Sequence, residues 1–243
     1  MTADVTDALR PGVNEIALFI DDYDRTPDGR IKTPAGTFMI QQYSGIWQDV
    51  FLVRRGAVRV DDVTIRTSTR ERKIEARWEF VNAGATVRTV EVVPTVHAWD
   101  RITREARPDV ARCLPPFSIT VPAGGSATHT VQVPWSDAKL WQPETPHLYV
   151  LQTVVAGEET HRERFGFREV WIDGIDLLLN GYPLHLFSDW GHKLAPYCLT
   201  EAWVRQWFGM IRDANMNHSR LHTHPHLRLI LDLADEEGIL ITA

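Results

Sequence analysis

The residues best suited to chemistry crowd into one stretch near the C-terminal end. In the ten residues 217–226 stand His218, His222, His224 and His226 with Arg220. His222 and His224 lie two apart, so on an extended chain they share one side. Two such imidazoles could hold a divalent ion or hydrogen-bond a sugar. A metal-dependent hydrolase using His222 and His224 is one reading. It would need further ligands from elsewhere in the chain, and the segment can be explained without a metal. No phosphate cradle and no nucleophile elbow accompany the cluster. The second reading is a non-enzymatic β-sandwich that binds carbohydrate or a partner protein.

The elements around the cluster have a clear rhythm. Residues 201–213 place Val204, Trp207, Phe208 and Ile211 on one helical face, with Thr200 as N-cap. The stretch 218–222 reads as a short strand. A second helix follows, with Pro225 at its first turn, Gly238 just past its end, and a stripe of Leu227, Ile230, Leu231 and Ala234. Residues 239–242 read as a buried strand. Glu236 and Glu237, adjacent in the last turn, are expected to be solvated surface, and Asp235 to fix the helix end. Strand, helix, strand, helix, strand is the opening of a parallel α/β array. A closed (β/α)8 barrel takes about 250 residues, and the roughly 70 from residue 172 are too few to close one. Ahead of the first of these helices, 177–187 reads as a hairpin about Asn180–Gly181.

Residues 57–171 alternate with period two, as in Ile74, Ala76, Trp78 and Phe80. Turn signals fall at Asn82–Gly84, Ala123–Gly125 and Ala156–Gly157. About seven antiparallel strands so punctuated suggest an immunoglobulin-like β-sandwich, its tryptophans in the core. Residues 1–56 offer a Pro11–Gly12 turn, a strand through Ile16, Leu18 and Ile20, and a buried strand at 45–53. These are too few strands to close a sheet, so 1–56 reads as the end of a β domain.

Bulk properties narrow the function. The chain has 243 residues, 44% hydrophobic, with a net charge of −6. An acidic chain argues against a nucleic-acid partner. Cys113 and Cys198 have no metal-type spacing and are expected to be buried or half-buried thiols. No basic-plus-apolar leader and no long apolar run points to a membrane. Localisation stays open, with the cytoplasm favoured.

Four stretches resemble the family 2 glycoside hydrolases, the β-galactosidases, β-glucuronidases and β-mannosidases. They are DVTDALRPGVNEIAL with SGIWQDVFL; LWQPETPHLYVLQ with RFGFREV; LLLNGYPLHLFSDWGH; and ANMNHSRLHTHPHLRLILDLADEEGILI. In the last, Asn217, Arg220, Pro225, Ile230–Leu231, Asp235 and Gly238 fall in the family's register. Leu221, His222, Thr223 and His224 depart from it, which leaves the sugar open. The resemblance implies a multidomain β plus α/β protein. Residues 1–56 would be the end of a jelly-roll sugar-binding domain, 57–171 the sandwich, and 172–243 the start of a TIM-barrel catalytic domain. It implies retaining hydrolysis of β-linked sugars without a cofactor, in a possible homo-oligomer. It also implies that both catalytic glutamates lie beyond this segment, so no catalytic residue is expected here and the chain alone should be inactive. His192, Arg220, His222, His224, Trp190, Asp189 and the loop residue Asp24 are the expected substrate contacts. Arg220 matches the arginine that orients the nucleophile, and Trp190 could stack on a sugar or plug the core.

Overall fold

The computed structural model describes residues 3–19, 46, 49–191, 200–221 and 227–242. Asp24, His192, Cys198, His222, His224 and Pro225 lie outside the described residues. The chain forms two compact units, Met1–Phe51 and Leu52–Ala243.

In the first unit, Asp4 accepts from the Thr6 amide at 2.9 Å and starts a single 3-10 turn, Thr6–Ala8. Gly12 takes φ +96° in the expected turn. The expected strand is absent among the described residues: 13–19 has no ladder partner, and Val13, Ile16, Leu18 and Phe19 are exposed. The expectation of a buried strand at 45–53 also fails where it is described. Val50, Phe51, Leu52 and Val53 are exposed and carry no ladder. An apolar run becomes a strand only when a neighbour takes its hydrogen bonds and a second layer takes its side chains. The described residues provide neither.

The second unit begins with eight strands: β1 Val58–Ser68, β2 Lys73–Asn82, β3 Arg88–Asp100, β4 Glu105–Cys113, β5 Phe117–Val121, β6 Ser126–Pro134, β7 Leu148–Val155 and β8 Glu159–Gly166. They make two sheets, β1-β2-β6 and β4-β3-β7-β8. β5 shares the long edge of β3 with β4, pairing Arg88–Val92 while β4 pairs from Thr95 to Asp100. The period-two pattern of β2 drives Ile74, Ala76, Trp78 and Phe80 fully into the core. Each large side chain so buried contributes about 1.5–3 kcal/mol. The Trp78 indole N–H would be stranded there, and it donates to Thr153 Oγ1 of the opposite sheet at 2.9 Å. β4 escapes the sequence pattern because nearly all of it is exposed. Cys113 at its end is exposed and free, which corrects the expectation of a buried thiol.

A small antiparallel sheet follows: β9 Val170–Asp173, β10 Asp176–Leu179 and β11 Tyr182–Pro183, in the order β11-β10-β9. Asn180 and Gly181 both take positive φ, +53° and +93°, the geometry a two-residue hairpin requires. Then come β12 Ser188–Gly191, α1 Glu201–Asp213, β13 His218–Leu221, α2 Arg228–Glu237 and β14 Leu240–Thr242. The three strands are parallel, in the order β12-β13-β14. The Thr200 hydroxyl accepts from Trp203 N and caps α1, whose buried face is Val204, Trp207, Phe208 and Ile211.

Two expectations for α2 are overturned. Its apolar stripe is Ile230, Leu233 and Ala234, whereas Leu231 is 44% exposed. Glu236 and Glu237 are not solvated: they are 1% and 3% exposed. Buried carboxylates need cations, and five arginines supply them. Arg164 reaches Glu236 at 2.5 Å, Arg205 at 2.8 Å and Arg104 at 3.7 Å. Glu237 takes Arg205 at 2.5 Å, Arg101 at 2.8 Å, and Arg212. The helix end that the sequence offers to solvent is enclosed by the sandwich and α1.

Candidate functional site

The parallel strands carry two faces, and hydrogen bonds sort them. Asp189 Oδ2 accepts from the Trp207 indole of α1 at 2.7 Å, so Asp189 faces the helix layer. Its Oδ1 accepts from the Trp190 amide at 2.6 Å. Ser219 and Leu221 are buried, Leu221 packing among the helix side chains. Side chains alternate along a strand, so Ser188, Trp190, His218, Arg220, Leu240 and Thr242 belong to the opposite face.

That face has a polar floor. His218 Nδ1 lies 2.6 Å from Ser188 Oγ, and its Nε2 lies 3.1 Å from Thr242 Oγ1. Burial pushes the imidazole below its ordinary value, so the neutral ring bridges two hydroxyls. Asn217, just before β13, joins the strand starts: its carboxamide donates to His185 O at 2.8 Å and accepts from Phe187 N at 3.0 Å. Its place in the sequence signature thus has a backbone-tying reason.

One step nearer the C-terminal strand ends, Trp190 pairs in register with Arg220, and Arg220 with Thr242. Both side chains are exposed, Trp190 at 56%. The exposure rules out Trp190 as a core plug. No hydrogen bond or ion pair joins Arg220 to another described residue. An exposed guanidinium that meets no partner among the described residues can donate to hydroxyls or to a carboxylate, and an indole can stack on a ring. In open α/β sheets, ligands bind outside the carboxyl ends of the strands.

Of the expected contacts, Trp190 and Arg220 are brought together. Asp189 is not, since its carboxylate is committed to the α1 tryptophan. His192, His222, His224 and Asp24 lie outside the described residues. Sequence reasoning missed His218, Ser188 and Thr242, although alternation would have placed His218 on the face of Arg220. Asp189 is the one acidic residue on β12, β13 and β14. Among the described residues no group of three or more His, Cys, Asp or Glu could hold a metal.

With a two-sheet sandwich leading into a parallel α/β segment, the described chain is mostly β-sheet with few helices. Comparison with known proteins says which kind. Residues 58–168, the sandwich strands, match the family described as glycosyl hydrolases family 2. The chain is 22% identical over 251 residues to a β-galactosidase of Staphylococcus xylosus, covering 98% of this chain and 22% of that one. A β-glucuronidase of Paenibacillus borealis is 24% identical over 264 residues, at 98% and 40% coverage. Among solved structures, a β-galacturonidase from Eisenbergiella tayi bound to galacturonate superposes with a TM-score of 0.67 at 23% identity, covering 76% of this chain and 32% of that one. The sandwich thus matches the family 2 glycosyl hydrolase model, and the chain is similar to β-galactosidases and β-glucuronidases along nearly its whole length. It spans about a fifth to two fifths of the curated relatives it matches.

Proposed function

We propose that this chain is an internal part of a retaining β-glycosidase. Residues 1–56 are the end of a jelly-roll sugar-binding domain, 57–171 an immunoglobulin-like sandwich, and 172–243 the opening third of a (β/α)8 catalytic barrel. The observation that carries the reading is the exposed Trp190–Arg220 pair at the C-terminal ends of the parallel strands, where a barrel places its chemistry. The substrate is a β-linked sugar. Trp190 offers its ring to the sugar face. Arg220 holds the place of a guanidinium that keeps a neighbouring carboxylate ionised and ready to attack. His192, His222 and His224 follow the same strand ends and are proposed as further sugar contacts.

Retention requires two carboxyl groups roughly 5–5.5 Å apart. On β12 to β14 the one carboxylate, Asp189, is turned to the helices. The chain by itself should therefore bind sugar weakly and hydrolyse none. Saturation-transfer NMR with methyl β-galactoside and methyl β-glucuronide tests the rim. Transfer is expected with one of them, and at least fivefold less in Arg220→Ala and in Trp190→Ala. Transfer to neither sugar, or equal transfer in the variants, overturns the site. Chromophore release from a nitrophenyl β-glycoside that Arg220→Ala abolishes would overturn the inactivity.

A further inference from the structure

α2 breaks its own local rules. It has no side-chain N-cap, no acidic residue in its first turn and no basic residue in its last. It ends instead in Glu236–Glu237, where the negative end of the helix dipole disfavours carboxylates. Ten residues of such a helix would not persist alone in water. Its stability must come from outside, and the structure shows the source.

The last turn of a helix leaves carbonyls without partners. Here Asp235 O accepts from the Trp141 indole at 2.7 Å, and one turn earlier Asp232 O also takes Arg164 Nη2 at 2.7 Å. Glu237 O accepts from Arg212 at 3.0 Å. Trp141 lies in the loop before β7 and Arg164 on β8, so the sandwich caps one last-turn carbonyl and braces the turn before it. The same loop approaches so closely that a Cβ on Gly238 would lie 2.0 Å from Pro143 O. From the β3–β4 turn, Arg101 reaches Glu237, and Arg104 reaches both Glu201 of α1, at 2.7 Å, and Glu236. Three separate stretches of the sandwich thus converge on one helical turn. The sandwich strands pair only with one another, and Trp78, Phe80 and Leu151 lie in their own core cluster, apart from that of the helices. The main sandwich core thus draws on no residue of α1, α2 or β12 to β14, while a smaller cluster joins Trp141 and Leu148 to Leu179, with Trp99 and Leu240 packed on it.

We infer that the sandwich is the folding template of the α/β segment. It supplies the C-terminal cap and the counter-charges of α2, so α2 and the β13–β14 pairing form only after the sandwich has folded. The inference does not depend on the sugar-site reading.

Pulsed hydrogen exchange during refolding of the full chain tests the order. Amides of β2, β3 and β7 are expected to be protected in an earlier phase than those of Leu233 to Glu237. Protection of α2 first, or of both together, overturns the proposal. In the folded protein, Glu236→Gln/Glu237→Gln should speed exchange in α2 at least tenfold while β2 and β7 keep their protection. Arg101→Gln/Arg104→Gln, on the accessible turn, should act on the same amides by severalfold. Unchanged α2 exchange in this second variant, or equal loss across the sandwich, sinks the idea.

Discussion

The two ends of the parallel segment treat charge in opposite ways. At the end facing the sandwich, two glutamates are buried, each among three arginines. At the C-terminal strand ends, Arg220 is exposed and joined by no ion pair to a described residue, beside an exposed Trp190. Matched buried charges fix geometry, because removing one partner strands the other. An exposed cation with no ion pair to a described residue contributes little to the described fold. Position and charge state together separate anchoring from chemistry.

The comparison breaks first at Gly238. Its φ of +73° is strained for any other residue, and Pro143 O fills the space of a side chain. Gly238→Ala should lose about 4 kcal/mol, the sum of strain and displaced backbone. Gly157→Ala, at a similar φ but in open space, should lose only about 1 kcal/mol. Urea unfolding of the two variants measures the difference, and equal losses would mean that the Pro143 contact does not hold the helix end.

Acid is the next lever. Burial raises the Glu169 carboxyl, but hydrogen bonds from Arg70, Ser68 and the Thr69 amide outweigh it and hold it at about 2. Burial likewise opposes ionisation of Glu237, and Arg212, Arg101 and Arg205 reverse the balance, leaving it below its ordinary value. The charges facing Glu237 and its neighbour Glu236 are Arg101, Arg104, Arg164, Arg205 and Arg212, with Glu201 and Asp232 as the nearby acids. Both depressed groups bind fewer protons folded than unfolded, so their stabilisation is full above the ordinary carboxylate range and fades as pH falls. The loss should reach about 3 kcal/mol between pH 5 and pH 2, read from the urea midpoint. A flat midpoint over that range would show that neither carboxylate stabilises the folded chain. Trp141→Phe follows, leaving Asp235 O without its donor at a cost of about 2 kcal/mol.

The anchored end was the less legible of the two. Short-range patterns carried the sandwich strands, the Thr200 cap, the face of α1, the Asn180–Gly181 turn and the left-handed Gly238, because each depends on neighbours a few residues away. Glu236 and Glu237 depend on Arg101, Arg104 and Arg164, more than 70 residues distant, and a local rule assigns two such carboxylates to solvent. β4 was missed for the converse reason: an exposed edge strand needs no alternation, only a partner in β3. Alternation also misplaced the strands of the first unit, since an apolar period says which side would be buried and not whether a partner exists. At the rim, residue type singled out Trp190 and Arg220, but the direction of Asp189 rests on one bond to Trp207, 18 residues on.

The smallest expected change in stability is the sharpest test of the open end. Arg220 is exposed and shares no bond with a described residue, so Arg220→Ala should shift the unfolding free energy by less than about 0.5 kcal/mol. Asp189→Asn, on the same parallel sheet, weakens the charged acceptor of a tryptophan indole and should cost about 1 kcal/mol. If Arg220→Ala proves the more damaging in urea, the guanidinium is part of the scaffold and the division between an anchoring end and a chemical end fails. If it leaves stability untouched while sugar contact is lost, then at that position side-chain identity serves the ligand and not the fold.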